Sequence, residues 1–380
     1  MCVDNCVSEY GVSMVLLMCL SFAVSLVSSI FVIRLARGHA SRYDPEKPQR
    51  FHAGNVPRVG GIGIFLGMSA GWFGGALAEV TASRLNVPMT WHTALQLQLM
   101  VLPAVLGGIY EDFTQHLSVR YRLLLTAISA ALACGFFGLA VPQLGVPGVD
   151  ALLGAYPWVS VALAFFAICG LPHAFNIIDG YNGLAGTVAA LICLAIAYVA
   201  LQLGDRQLAA IVICLAGSTL GFLIWNYPRG LIFAGDGGAY LWGVVIAVAC
   251  ILLVQRHISV SPWFPMLLII YPVWETAFSI YRKLARGGSP GVADALHFHQ
   301  LIYRRIVRGV FHDDESRRML MRNNRTSPYL WGFTLMTVVP AVLFWRHTGI
   351  LMAFCGLFVV TYVGFYIAII RFKVPRWLRR

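Results

Sequence analysis

Eleven apolar runs, each near the length that crosses about 30 Å of hydrocarbon as helix, follow one another along the 380 residues of this chain. They cover 11–33, 59–79, 95–110, 122–142, 158–175, 183–203, 208–225, 237–255, 262–281, 329–345 and 349–370. With 59% of residues apolar and 12% charged, too few polar side chains remain to clothe a soluble globule. The expected fold is therefore all-α: a polytopic membrane protein of about eleven transmembrane helices, built as a single integral-membrane domain over residues 1–380. Residues 1–10 carry only Asp4 and Glu9 as charges. No cationic segment precedes the first run, which is expected to be a retained span and not a cleaved leader.

The net charge of +12 would suit nucleic acid if it were gathered on one surface, but it is sorted by loop. With the N-terminus outside and the C-terminus cytoplasmic, 24 of the 28 Lys and Arg residues fall on the cytoplasmic side, ten of them between Arg282 and Arg325. The other four, Arg84, Arg206, Arg256 and Arg346, sit singly in four outer loops. This asymmetry is the positive-inside rule. It sets the orientation, argues against a nucleic-acid partner and makes 282–327 the longest cytoplasmic loop. Seven of the nine cysteines lie inside the runs and no C-x-x-C pair occurs, which suits packing rather than metal or redox chemistry. Cys2 and Cys6 can pair outside, though nothing requires it.

An ionised carboxylate at the centre of a span costs roughly 2.5 to 3.5 kcal/mol, so acids in or against spans need a purpose. Five stand at the cytoplasmic ends: Glu111, Asp112, Asp179, Asp236 and Glu275. Glu111 and Asp112 point about 100° apart on a helix and can address two targets, such as a cation and a proton donor. Beside Arg120 and Arg122 they can equally form an interfacial charge cluster. Asp236 stands between Gly235 and Gly237 at a helix start, where a hard carboxylate oxygen suits Mg²⁺ and the first amides suit phosphate oxygens. An aspartate that merely caps its helix has the same sequence.

In "FNIIDGYNGLAG", Asn176, Asp179 and Asn182 are spaced three apart, which stacks them on one face of a helical turn and lets them hold sugar hydroxyls and a metal-bound water. A glycine-broken span using those amides for its own backbone is the alternative. In "DALHFHQLIYRRIVR", His297, His299, Arg304, Arg305 and Arg308 suit diphosphate oxygens. Its Leu301, Ile302, Ile306 and Val307 offer an apolar flank to a membrane surface. "HDDESRR" reads as a solvated helix with acid-to-arginine pairs.

These segments, in this order, resemble the bacterial polyprenyl-phosphate N-acetylhexosamine-1-phosphate transferases, most closely the branch that initiates O-antigen and related surface polysaccharides. "DPEKPQRFHAGNVPRVGG" is similar to that family's first cytoplasmic loop, with Asp44, Arg50, His52, Pro57 and Arg58 at matching positions. Glu111-Asp112 matches its acidic pair, Asn176-x-x-Asp179-Gly180 its second motif, Gly235-Asp236 its metal motif and His297-x-His299 its late histidine motif.

The resemblance implies transfer of a sugar 1-phosphate from a UDP-N-acetylhexosamine to undecaprenyl phosphate, with release of UMP, at the cytoplasmic face of a bacterial inner membrane. It implies Mg²⁺, or Mn²⁺ in its place, on Asp236. Asp112 first, and Glu111 second, are expected to orient or deprotonate the acceptor, with Asp179 completing the catalytic set. Asn176, Asn182, Asp44, His52, Arg58, His297, His299 and Arg304 are expected to bind substrate. The surrounding partner is membrane lipid, and a homodimer is compatible with everything read so far.

Three positions depart from the family pattern: Glu111 where many members have Asp, Asn182 where Asp is frequent, and Gln300 where the late motif usually ends in another His. The rival within the superfamily is the peptidoglycan branch, which acts on a UDP-sugar pentapeptide. Its triple histidine and its one span fewer count against it. A secondary transporter, the rival from another class, would place its polar groups near the midplane, often in two repeated halves, whereas here they cluster at the inner ends and no internal repeat is found. No motif distinguishes one N-acetyl sugar from another.

Overall fold

The computed structural model describes residues 2–40, 56–81, 89–287 and 296–371. Among them there is helix and no strand, in the order α1 (Cys2–Ala40), α2 (Gly60–Thr81), α3 (Trp91–Thr114), α4 (Val119–Phe137), α5 (Pro147–Ala155), α6 (Pro157–Ile178), α7 (Leu184–Gln202), α8 (Arg206–Asn226), α9 (Gly235–Arg256), α10 (Trp263–Leu268), α11 (Ile270–Ala285), α12 (Phe298–Leu301), a π-helical turn (Ile302–Ile306), α13 (Glu315–Leu343) and α14 (Thr348–Ile370). Ten of these, all but α5, α10, α11 and α12, are long and apolar enough to cross a membrane. The chain is a multi-pass membrane protein.

The ninth apolar run is not one helix. α10 and α11 meet at Ile269. Pro272 lacks an amide hydrogen, so the carbonyl of Leu268 has no partner four residues on, and the helix breaks there. α11 then buries a polar stripe of Tyr271, Glu275, Ser279 and Arg282 while Ile280, Tyr281 and Leu284 stay exposed. This inside-out arrangement suits a helix with lipid on one side and a polar site on the other.

The cytoplasmic loop expected over 282–327 is largely helical where it is described. α11 continues to Ala285, and α13 begins at Glu315 and runs unbroken into the tenth apolar run. Asp314 caps it, accepting from the amides of Ser316 (2.8 Å) and Arg317 (3.4 Å). Leu301, Ile302, Ile306 and Val307, expected to lie on a membrane surface, are all buried in the protein.

α9 is the axis of the bundle. Every residue from Gly237 to Val254 is buried, in keeping with a helix that is apolar on all sides, and α2, α3, α4, α6, α7 and α8 pack around it. At its start the backbones touch: a Cβ on Gly108 of α3 would overlap Gly237, and one on Gly61 of α2 would overlap Gly238. Small residues likewise join α1 to α2, where Ser21, Ser25 and Ser29 lie against Gly71, Gly67 and Gly63, a close-packing solution typical of helices in lipid. Residues 57–61 run beside the strand-like approach to α9, with Gly60 donating to the Phe233 carbonyl (2.8 Å), Gly61 to that of Ala234 (2.8 Å) and Phe233 to that of Pro57 (2.9 Å). That pairing sets Arg58 next to the first turn of α9.

Candidate active site

Where α3 and α6 end and α9 begins, a cavity of about 220 Å³ is lined by Arg58, Glu111, Asp112, Gln115, Asn176, Ile177, Asp179, Gly180, Phe233, Gly235, Asp236, His297, His299 and Gln300. Eight of the expected site residues meet here from distant parts of the chain. Its floor is the N-terminus of α9, opened by Gly235 at φ 71°, a left-handed conformation that a side chain at this position would strain.

The amides of that first turn are already in use. Asp112, buried at 5% exposure, accepts from the Asp236 amide through Oδ1 (2.8 Å) and from the Gly237 amide through Oδ2 (3.0 Å), and the Gly235 amide is turned so as to favour the charged form of Asp179. The sequence suggested these donors for substrate phosphate. Here a carboxylate of the chain itself occupies two of them, and Asp112 becomes a cap delivered from another helix.

Asp236 is aimed by three donors. Asn176 Nδ2 reaches Oδ1 (2.7 Å), while Tyr240 Oη (3.0 Å) and Arg122 Nη1 (3.3 Å) reach Oδ2. Arg122 also holds Glu111 Oε1 (3.0 Å) and donates through Nε to the Leu117 carbonyl (2.9 Å). Glu111 Oε2 accepts from the Leu117 amide (2.8 Å). Arg122 therefore does more than offset the acid pair. It ties Glu111 to Asp236, and the sequence could not show this because the two acids lie far apart along the chain.

Asp179 sits where α6 stops. Its amide still reaches back to Phe175 and Asn176, but the chain then turns, and Gly183 (φ 72°) opens α7. Because the helix ends here, Asn182 does not share a face with Asn176 and Asp179. It is buried at 1% exposure, lines no part of the cavity, and donates through Nδ2 to Asn324 Oδ1 (2.8 Å).

The turn from Asp179 to Gly183 is instead clamped by one face of α13. Asn323 Oδ1 accepts the Asn182 amide (2.8 Å), Ser327 donates to the Asn182 carbonyl (2.5 Å), and Trp331 Nε1 donates to that of Gly183 (3.0 Å). From α8, Asn226 Oδ1 accepts the Gly183 amide (2.6 Å). These four positions were missed in the sequence. Only the i, i+4, i+8 spacing of Asn323, Ser327 and Trp331 hinted at a shared face. Burial pushes the Asp179 carboxyl up to about 7, with Arg58 and the Gly235 amide opposing and Asp236 adding to the rise.

The histidines complete the lining beside the Asp179 turn. Their rings stack at 5.3 Å between centroids and 6° between planes. His299 Nε2 lies against Gly180, where a Cβ would come within 3.1 Å, which explains why the aspartate turn carries glycine there. Gln300 caps α12 by accepting the His297 amide (3.3 Å) and lines the cavity. Arg304, expected among the substrate ligands, lies in the π-helical turn and does not line it. Asp44 and His52 fall outside the described residues.

Among the described residues no group of three or more His, Cys, Asp or Glu side chains converges as a metal cage. The cavity offers hard carboxylate oxygens instead, chiefly those of Asp236 and Asp179. That donor set fits Mg²⁺, which takes one or two carboxylates and fills its octahedron from water and substrate phosphates.

Residues 94–254 match the family model described as glycosyl transferase family 4. The chain is 27% identical over 296 residues to a probable undecaprenyl-phosphate N-acetylglucosaminyl 1-phosphate transferase of Bacillus subtilis, an alignment covering 77% of this chain and 78% of that one. It is 26% identical over 290 residues to the undecaprenyl-phosphate alpha-N-acetylglucosaminyl 1-phosphate transferase of Thermotoga maritima (76% and 80% covered). Its identity to the protein of that same name in Escherichia coli K12 is 25% over 282 residues (72% of each).

Proposed function

We propose that the chain is a member of glycosyl transferase family 4, whose model matches residues 94–254, and that it transfers an N-acetylhexosamine 1-phosphate from a UDP-sugar to undecaprenyl phosphate. UMP leaves, and a lipid-linked sugar diphosphate begins an O-antigen or related surface polysaccharide. The reaction lies at the cytoplasmic face of a bacterial inner membrane, the side on which the chain's Lys and Arg residues concentrate.

The observation that carries this reading is the cavity itself. Carboxylates, imidazoles and a guanidinium from separate segments converge at one end of an apolar bundle, where a substrate dissolved in water can meet one dissolved in lipid. Two anionic phosphates repel each other, so the work of such a site is alignment and charge neutralisation. Arg58 suits an incoming phosphate, and His297 and His299, which also line the cavity, suit the outgoing one as donors. Asn176 holds Asp236 in place, and Asp236 would hold a divalent cation. Bound Mg²⁺, or Mn²⁺, would neutralise the donor diphosphate.

Asp112 was the first choice as proton acceptor from the sequence. With both of its oxygens on α9 amides, that role passes to Asp179, which lines the same cavity and accepts fewer hydrogen bonds. A phosphate monoester has its second pKa near 6, so little proton removal is needed near neutrality.

The test is reconstitution with undecaprenyl phosphate and a panel of UDP-N-acetyl sugars, with and without Mg²⁺, following UMP release and entry of sugar radiolabel into the lipid phase. Mg²⁺-dependent label from a single donor is expected. Absence of both products from every donor, in protein shown to be folded, would overturn the assignment.

A further inference from the structure

Glu275 is the most enclosed carboxylate near the cavity. Its side chain is fully shielded from solvent, it stands on the buried polar stripe of α11, and it lies outside the cavity lining. Oε1 accepts from the Phe298 amide (3.0 Å) and faces His297 Nδ1 (3.0 Å), while Oε2 accepts from Tyr362 Oη on α14 (2.8 Å). An ionised group is retained in such a place only if several donors satisfy it, and here three converge. Tyr362 is itself completely buried and wedged against Phe298 (4.8 Å) and Phe278 (5.6 Å), so the carboxylate has little freedom to move.

We propose that Glu275, steadied by Tyr362, is a positioning residue for His297. It fixes Nδ1 as a hydrogen-bond donor directed away from the cavity and leaves Nε2 as the ring nitrogen that serves it. This rests on the transferase reading for the identity of the anion, a nucleotide phosphate, that Nε2 meets.

The chemistry follows from the proton count. A neutral imidazole with its proton on Nδ1 presents a lone pair from Nε2, which repels a phosphate oxygen. Protonated, it presents an N–H there, and the buried negative charge behind it offsets the positive one. The stacked His299 lies beside the same ring. The other titratable and charged groups facing this pair are Tyr271 of α11, Tyr362 and Tyr366 of α14, and Arg282, whose Nη1 is held by Tyr366 Oη (2.7 Å). None of them supplies a second carboxylate, so Glu275 alone provides the countercharge from that side. The last helix of the chain thereby reaches the cavity through two links, Tyr362 to Glu275 and Glu275 to His297.

The experiment uses full-length protein labelled with ¹⁵N-histidine in nanodiscs, with the His297 resonances assigned by their loss in H297Q. Wild type is expected to show Nδ1 protonated, with Nε2 left to the cavity. E275Q, which keeps the shape but removes the charge, should lower the share of rings protonated on Nδ1 severalfold, because a carboxamide can donate to that nitrogen as well as accept from it. It should also raise KM for the UDP-sugar about tenfold, with a smaller change in kcat. Y362F, a milder change that protects against loss of folding, should move both readouts in the same direction by two- to fivefold.

His297 resonances indifferent to both variants would overturn the proposal, as would a loss of turnover that only tracks the folded fraction. If His297 responds as expected while wild-type protein releases no UMP from any donor, the positioning pair stands and the transferase reading falls.

Discussion

α8 and α9 run antiparallel, and each end of the pair carries aspartate, one at the far end and three at the cavity end. At the far end Asp205 caps α8 through the Leu208 amide (3.0 Å) and meets Arg256 Nη1 (3.2 Å) and His257 Nε2 (3.1 Å). Burial alone would raise its carboxyl, but the Leu208 amide, His257 and Arg256 outweigh that and hold it below the ordinary range. At the cavity end Asp179 moves the other way, up to about 7. Four carboxylates, Glu111, Asp112, Asp179 and Asp236, share Arg58 and Arg122. One end of the hairpin supplies a countercharge and stabilises the fold. The other withholds it, and destabilised charge is what binding and proton transfer draw upon.

Substitutions at the two ends test that contrast, most strongly at Asp236. D236N should cut UMP release by about a hundredfold to a thousandfold, the range for removing a group that acts on developing charge, with little change in melting temperature. D205N should leave turnover per folded molecule within about twofold, as expected of a group remote from the reacting atoms. Equal losses from both would erase the distinction.

D112N comes next. A cap lost from α9 should cost about 1 to 2 kcal/mol and misalign the first turn, so thermal scanning should show a lower melting point and assays about tenfold slower turnover. A slower enzyme of unchanged stability would return Asp112 to direct chemistry.

The two ends should also answer pH in opposite senses. Asp179 keeps its proton when folded up to about 7 but releases it near the ordinary carboxylate value when unfolded, so its contribution to stability falls as pH rises through that interval. If it accepts the acceptor's proton, turnover rises over the same interval, and D179N should abolish this limb of the pH–rate profile. Asp205, held low, contributes stability that is fully present above its unfolded pKa and lost as pH falls through its folded one. Acid melting below about pH 4 should therefore be blunted in D205N. The smallest effect is D205A at neutral pH, about 1 kcal/mol for a lost N-cap, read as a modest fall in melting temperature.

Much of this was legible in the sequence, because span length and the cost of burying charge are local rules. The ten long helices and the acids at their ends follow from those rules alone. Where the reading failed, the cause was a contact the chain does not announce. Asn182 was placed beside Asp179 by assuming that the helix continued past Gly180, whereas α6 stops at Ile178. Residues 312–318 were read as a solvated helix, but its continuation through 319–327 into the next span was not, because their charges mask the helix that the Asp314 cap starts. The break at Ile269 hid inside an apolar run whose composition reads the same with or without it. Glu275 was noticed as a costly acid, but its partners lie 22 and 87 residues away, beyond any spacing rule. Arg122 came to Asp236 in the same way, through packing about α9, whereas Tyr240 stands one turn beyond Asp236 on the same helix, a spacing the sequence did show.

The amides of α9 that Asp112 occupies have a thermodynamic consequence for ligand order. On the proposed transferase reading, a cavity with more carboxylates than guanidinium groups would take a diphosphate together with positive charge from solution, so occupancy by the nucleotide and by a cation would be reciprocal. Whichever arrives first raises the affinity for the other by the same factor, and the apparent affinity for nucleotide becomes a reading of the cation concentration around it.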